Sequence, residues 1–219
     1  MKTNDIFLEV NTIAKDLIIR YENPWEILPN IKDYIIELGS SLNSDFEEVK
    51  ENIWIHKNAK VASTAYINAP AIIDDGADVR HCAFIRGGVI IGKKSVLGNS
   101  CEIKNAILFD NVEVPHFNYV GDSILGFHSH MGAGSITSNV KSDRKLVNIK
   151  YQGKLIETGI KKVGAFLGDY VEVGCNSVLN PGTIIGPHTN IYPLTSVRGV
   201  IASDSIVKSM NNIVKKEVK

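Results

Sequence analysis

Apolar residues return at every sixth position from Ile55 onward. Ile55, Val61, Ile67, Ile73, Val79, Ile85, Ile91, Leu97 and Ile103 keep one phase, and with 44% apolar residues in the chain nine such hits arise by chance in only ~6 of 10,000 cases. Four residues after each anchor stands something small or β-branched: Ala59, Ala65, Ala71, Ala77, Ala83, Val89, Ser95, Cys101 and Ile107. A six-residue unit predicts a short strand and a tight corner. Such units stack into a solenoid, because no single coil buries its own faces. A second phased run follows at Leu167, Val173, Leu179, Ile185, Ile191 and Val197.

Between the two runs the phase slips. Ile103 to Leu108 is five residues, Val114 and Val120 restore six, and Val120 to Leu125 is five again. Residues 140–162 abandon the repeat. They are polar and basic, as a loop leaving the coil would be, and Gln152-Gly153 between two alternating runs predicts a hairpin. Residues 1–52 predict helix. Ile6, Val10, Ile13 and Leu17 share one helical face, Asn23-Pro24-Trp25-Glu26 reads as an N-cap with a first-turn proline and an N3 glutamate, and Gly39 closes a run beginning near Ile31. These patterns divide the chain into a helical N-terminal segment (1–52), expected to be a packing appendage or end cap, a solenoid (53–203) and a C-terminal arm (204–219) that reads as extended or as a short helix.

Composition narrows the function. The chain has 219 residues and a formal net charge of zero, so electrostatics makes no case for nucleic acid or an anionic membrane as partner. The N-terminal apolar run contains Asp5 and Glu9, unlike a signal peptide, and no run is long enough to span a bilayer. Cys82, Cys101 and Cys175 form no CxxC pair, which fits a reducing cytoplasm.

Three features carry candidate chemistry. Arg86 and Lys104 each follow their anchor by one residue, and the anchors are 18 apart, which is one turn if the coil is triangular. The two cations then stack on neighbouring strands about 4.8 Å apart. Like charges so placed are unfavourable unless an anion lies between them, and a phosphate suits them. The next residue in that column, Gly121, leaves room. His116 sits two residues after its anchor at an outward corner, where a neutral imidazole can take a proton from an attacking amine. Met131-Gly132-Ala133-Gly134 lies one coil further on, where backbone N–H groups can receive a thioester oxygen.

The units LGDYVE, VGCNSV, LNPGTI, IGPHTN and IYPLTS resemble those of the left-handed parallel β-helix acyltransferases. The stretch PHFNYVGDSI…MGAGSITSN is similar to the acetyltransferase domain of the bifunctional glucosamine-1-phosphate acetyltransferase / N-acetylglucosamine-1-phosphate uridylyltransferase family, and the loop LIETGIKKVGAFLGD is closer to its archaeal-type members. Residues 1–52 hold no glycine-rich phosphate loop, so only the acetyl-transfer half is matched. The resemblance implies a left-handed coil, a homotrimer with sites between subunits, acetyl-CoA as cofactor and a role in UDP-GlcNAc biosynthesis. It makes His116 the general base. It places Arg86 and Lys104 at the sugar-phosphate grip, Tyr119 and Asn139 on the sugar, and Lys145 on an acceptor in the neighbouring subunit. It sets Ala133, Cys175 and Pro193 against coenzyme A, with a tail cation such as Lys208 at its nucleotide end. Where the bacterial pattern has an acceptor-contacting asparagine this chain has His130, so the amino sugar recognised is open.

Two other readings stand beside this one. Trimeric β-helices include zinc enzymes of the γ-carbonic-anhydrase type, and His81, His116, His128, His130 and His188 are available as ligands. A non-catalytic scaffold is the other.

Overall fold

The computed structural model describes residues 1–217. Residues 53–209 wind into a solenoid of three flat faces built from parallel strands. The first face stacks Ile53–His56, Ala71–Ile73, Val89–Ile91, the second halves of Glu102–Leu108 and Tyr119–Leu125, then Ala165–Leu167, Thr183–Ile185 and Val200–Ile201. The second face carries Glu113–His116 and His130–Met131 at its middle, and the third carries the first halves of Glu102–Leu108 and Tyr119–Leu125. The anchors fill the interior: Ile73, Ile85, Ile91, Leu97, Ile103, Val114 and Val120 are all fully buried.

Corners turn through left-handed backbone. On the corner between the second and third faces, Ser100, Phe117, Gly134, Asn176 and Leu194 all have φ between 54° and 72° or close below, at 52° for Phe117. Most of these are not glycine, so the stacked coils over-determine a conformation that costs an isolated residue.

The first face is buried on both sides, and its strands are accordingly runs of apolar residues such as Ala71-Ile72-Ile73 and Val89-Ile90-Ile91. Its cover is the N-terminal segment. The helix Ile31–Gly39 buries Ile31, Tyr34, Ile35 and Gly39 along one stripe and lies over strands of this face. Gly39 is required there, because a Cβ would come within 2.4 Å of the Trp54 ring. Phe7 packs on Phe109 at 4.9 Å between ring centroids. The buried Asp169 carboxylate accepts the Glu9 N–H at 2.7 Å and the Phe127 N–H at 2.9 Å, tying the segment to the coil.

The segment departs from its sequence reading in three ways. Ile6 to Leu17 is not one helix but two single turns, Thr3–Ile6 and Lys15–Ile18, because the chain bends to follow the solenoid wall. The Asn23–Glu26 capping box forms, yet it opens a 3₁₀ turn, Pro24–Asn30, that leads into the longer helix. Residues 46–50 are a strand, antiparallel to Ile53–His56, where pairing overrides helical preference. The segment lies along a side of the solenoid and closes its first edge only through that strand.

The excursion 140–162 contains the hairpin Asn148–Tyr151 with Lys154–Glu157, turned by Gln152 and Gly153 with positive φ. At the C-terminus Ser205–Ser209 adds to the second face, and Asn212–Lys215 folds back on it antiparallel. Residues 218–219 of the expected arm lie outside the described residues. No helix among the described residues is long and apolar enough to cross a membrane.

Candidate active site

Two edges of the third face collect the candidate residues. On its far edge, toward the first face, Ile85 pairs with Ile103 and Lys104 pairs with Gly121, so Arg86 and Lys104 share one column. Each has a carboxylate partner: Arg86 Nη1 donates to Glu102 Oε1 at 2.7 Å, and Lys104 Nζ to Asp122 Oδ2 at 3.1 Å. The repulsion expected between two bare cations is therefore already relieved within the protein, a correction to the reasoning that called for an anion between them. The room over Gly121 is also used: a Cβ there would lie 2.5 Å from Tyr119 Oη and 2.8 Å from the Asn139 amide nitrogen.

Asp122 organises this edge. It is buried and accepts from Lys104, from Asn105 Nδ2 at 3.0 Å, and from the Asn139 amide. Asn139 also donates to Tyr119 Oη at 3.2 Å. Burial, seconded by the nearby carboxylates of Asp122 and Glu102, raises the Tyr119 pKa, so its phenol keeps a proton to donate. The Glu102 hydrogen bond raises that of Arg86. Both phase slips fall here. Each removes one residue from the corner, leaving Asn105 and Asp122 at its left-handed position with φ of 44° and 49°, a conformation Asx residues tolerate. Sequence reasoning missed Asp122, although an Asn and an Asp at the same place after both slips was a usable signal.

The near edge, at the corner with the second face, holds His116. Its ring is exposed. The backbone beneath it is fixed by Asn118, which is buried: the His116 N–H donates to Asn118 Oδ1 at 3.0 Å, and Asn118 Nδ2 donates to Gly132 O at 2.8 Å and to Ser135 O at 3.1 Å. Asn118 thus bolts the histidine corner to the Gly132–Ser135 turn. It too escaped the sequence reading, where its mark was an asparagine at an inward position held elsewhere by Ala83, Cys101, Ser135 and Ser177.

Ala133, Cys175 and Pro193 extend the His116 column along the solenoid axis. Gly134 N–H donates to His116 O, Asn176 N–H to Ala133 O and Leu194 N–H to Cys175 O, at 3.0, 2.8 and 2.9 Å. Lys208, exposed, follows one coil beyond on the strand paired with Asn190–Ile191. The glycine-rich turn is less open than expected: the N–H groups of Gly132 and Gly134 are taken by Val173 O and His116 O. Among the described residues, the Ala133 N–H makes no backbone hydrogen bond, so it is the donor left for a ligand oxygen.

Other candidates stand apart. His130 lies on the second face beside Glu172, with Nδ1 2.9 Å from Oε2, away from the Asp122 group. Lys145 lines a separate basic cleft in the excursion with Lys141, Arg144 and Lys161. His128 and His188 flank Tyr170 in a stack at the opposite corner, with centroids 5.5 and 5.0 Å apart. Among the described residues no three His, Cys, Asp or Glu side chains of one chain stand close enough to share a metal. The Cys101 thiol is buried, which raises its pKa, and it donates to Val114 O inside the coil.

The comparisons with known proteins bear on this geometry. A family model described as the GMPPB C-terminal domain matches residues 67–201. A bifunctional sugar-1-phosphate nucleotidylyltransferase/acetyltransferase of Sulfurisphaera tokodaii is 32% identical over 198 residues, taking in 84% of this chain and 49% of that protein. A bifunctional protein GlmU of Methanococcus maripaludis is 32% identical over 195 residues, 88% of this chain and 47% of that one. The chain thus spans about half the length of the curated relatives it matches. Among solved structures, the acetyltransferase domain of PglB from Neisseria gonorrhoeae is 14% identical with a TM-score of 0.36, covering 85% of this chain and 65% of that one; a likeness of that size carries no argument. The match over 67–201 takes in both edges of the third face, and the chain belongs to the GMPPB C-terminal domain family.

Proposed function

We propose that this protein is an acetyl-CoA-dependent N-acetyltransferase acting on glucosamine 1-phosphate or a related hexosamine 1-phosphate, with His116 as general base. The observation that carries this reading is the gathering of Arg86, Lys104, Tyr119 and Asn139 around Asp122, on the same face whose other edge presents an exposed histidine. About five residues of strand, on the order of 16 Å, separate those edges, a span that a phosphorylated sugar and the reach of three long side chains bridge. The relatives named for sugar-1-phosphate nucleotidylyltransferase and acetyltransferase activities support the substrate class.

Each residue has a role in this scheme. Arg86 and Lys104 hold the phosphate by charge-assisted hydrogen bonds. Tyr119 and Asn139 orient the sugar. His116 accepts the proton that the amine loses as its nitrogen bonds to the thioester carbonyl carbon, and returns it to the departing sulfur as the carbon–sulfur bond breaks. The Ala133 N–H receives the carbonyl oxygen as negative charge develops on it. The exposed column through Cys175 and Pro193 to Lys208 fits an extended thioester carrier with an anionic end. Lys145 lines a cleft apart from the Asp122 group, and its part is assigned, by the family resemblance, to the acceptor of a neighbouring copy in a trimer. His130, held by Glu172, is offered as a specificity contact from such a copy.

Thiol release from acetyl-CoA, measured across a panel of amino-sugar phosphates, tests the proposal. Turnover with a hexosamine 1-phosphate is expected. No thiol release with any member of the panel would overturn it.

A further inference from the structure

The N-terminal segment also reaches the phosphate edge. A cleft of about 390 Å³ is lined by Arg86, Gly87, Lys104, Asn105 and Asp122 on the solenoid side and by Leu28, Pro29 and Lys32 on the other. Lys32 is exposed and lies along the solenoid corner: a Cβ added to Gly88 would come within 3.0 Å of Lys32 Cγ and 3.3 Å of Cε.

The charges in this cleft do not balance. Arg86 is matched by Glu102 and Lys104 by Asp122. Among the described residues, Lys32 has no ion-pair or side-chain hydrogen-bond partner. It is the second residue of the helix Ile31–Gly39, which continues from the 3₁₀ turn Pro24–Asn30. Lys32 thus adds a positive charge with no carboxylate of its own to a cleft whose other two cations are already matched, which favours entry of an anion.

We propose that Lys32 is a third phosphate-binding cation, so that residues 1–52 form one wall of the acceptor pocket. The inference rests on the acyl-transfer reading above and deepens it. Lys104 and Arg86 confer geometry while being largely neutralised by their carboxylates, and Lys32 supplies the net positive charge that favours a phosphorylated acceptor over a plain amino sugar. The same chemistry serves the phosphate of a sugar 1-phosphate and the diphosphate of a nucleotide-linked amino sugar.

The experiment compares wild type, Lys32→Met and Lys32→Arg by thiol release with glucosamine, glucosamine 1-phosphate and a nucleotide-diphosphate hexosamine. Methionine keeps the apolar stem against Gly88, so folding is spared. Lys32→Met is expected to raise KM about tenfold for the phosphorylated acceptors, to leave KM for glucosamine and for acetyl-CoA unchanged, and to be rescued by Lys32→Arg. The acceptor with the larger change identifies which phosphate Lys32 meets. An unchanged KM with both phosphorylated acceptors, or an equal rise with glucosamine, would overturn the role. The two readings fail separately: if wild type releases no thiol, acyl transfer falls, and Lys32 is judged by whether inorganic phosphate raises the melting temperature of wild type more than that of Lys32→Met. Equal rises, or none in either, would end it.

Discussion

The Asp122 carboxylate lies 3.1 Å from the Lys104 ammonium, with 6% and 18% of the respective side chains exposed. This is a nearly buried ion pair at the centre of the candidate site, and Asn105 and Asn139 donate to the same carboxylate. Removing one partner of such a pair leaves the other charge uncompensated. Asp122→Ala is therefore expected to cost about 3 kcal/mol of stability, read as a lower urea midpoint at unchanged slope. A midpoint shift within error would show that Lys104 is solvated without it.

For the base, His116→Ala is expected to lower turnover by ~10²–10⁴ while coenzyme A affinity stays the same. The ring is exposed and makes no side-chain hydrogen bond among the described residues, so folding should not suffer. Unchanged turnover would remove His116 from that role.

Asn118 acts through the backbone of its neighbours. Asn118→Ala deletes the amide's contacts to Gly132 O, Ser135 O and Ser135 Oγ and the acceptor of the His116 N–H; Gly132 O keeps the Ser135 N–H and hydroxyl, while Ser135 O loses its donor. The expected loss is about 2–4 kcal/mol, together with a fall in kcat larger than any change in acceptor KM, because the histidine corner loosens. A stable variant with wild-type kcat would contradict the positioning role.

Asp74 gives a pH signature. It is buried, its Oδ2 has no hydrogen-bond partner, and burial raises its pKa against opposing contributions from the Asp75 N–H, Lys93 and His56. A carboxyl whose folded-state pKa is raised weakens the fold as pH climbs above the unfolded value of ~3.9. The loss is complete above the folded-state value and absent in acid. Asp74→Asn is thus expected to raise stability by about 1 kcal/mol, or ~2–4 °C, at pH 8 and by little at pH 4. Asp110, which lines a cleft with Asp74 between the N-terminal segment and the solenoid, is shifted the same way by burial, with Asp74 contributing, so its asparagine variant should follow. A gain independent of pH would refute the linkage.

Much of the architecture was written in the period. The anchors from Ile73 to Ile103 lie inside, with Ile55, Val61 and Ile67 half-buried on the first coil, and the column holding Arg86 and Lys104 follows from counting 18 residues per turn. Ile107, four residues after its anchor, does not share the column of Ala71 and Val89; Ala106 takes that place, because the slip from Ile103 to Leu108 shortens the corner. The cover on the first face had a readable sign as well. Runs such as Ile72 between Ala71 and Ile73 are apolar on both sides of the strand, which demands something packed against the outside. The carboxylate partners of the two cations had a weaker sign, since Glu102 and Asp122 occupy polar positions that any solvated face would show.

By itself the sequence determined that a solenoid forms, where its phase breaks, and which residues share a column. Those properties are local: each six-residue unit must bury an aliphatic side chain, and coils stack on their immediate neighbours. Only the tertiary structure decided that Asp122 compensates Lys104, that Asn118 anchors the His116 corner, and that Lys32 faces Arg86 across a cleft. These depend on how coils 17 or 18 residues apart settle against each other, and on where a short helix docks on a wall built 50 to 90 residues later. Shape and charge across such distances are fixed by packing, which no repeat records.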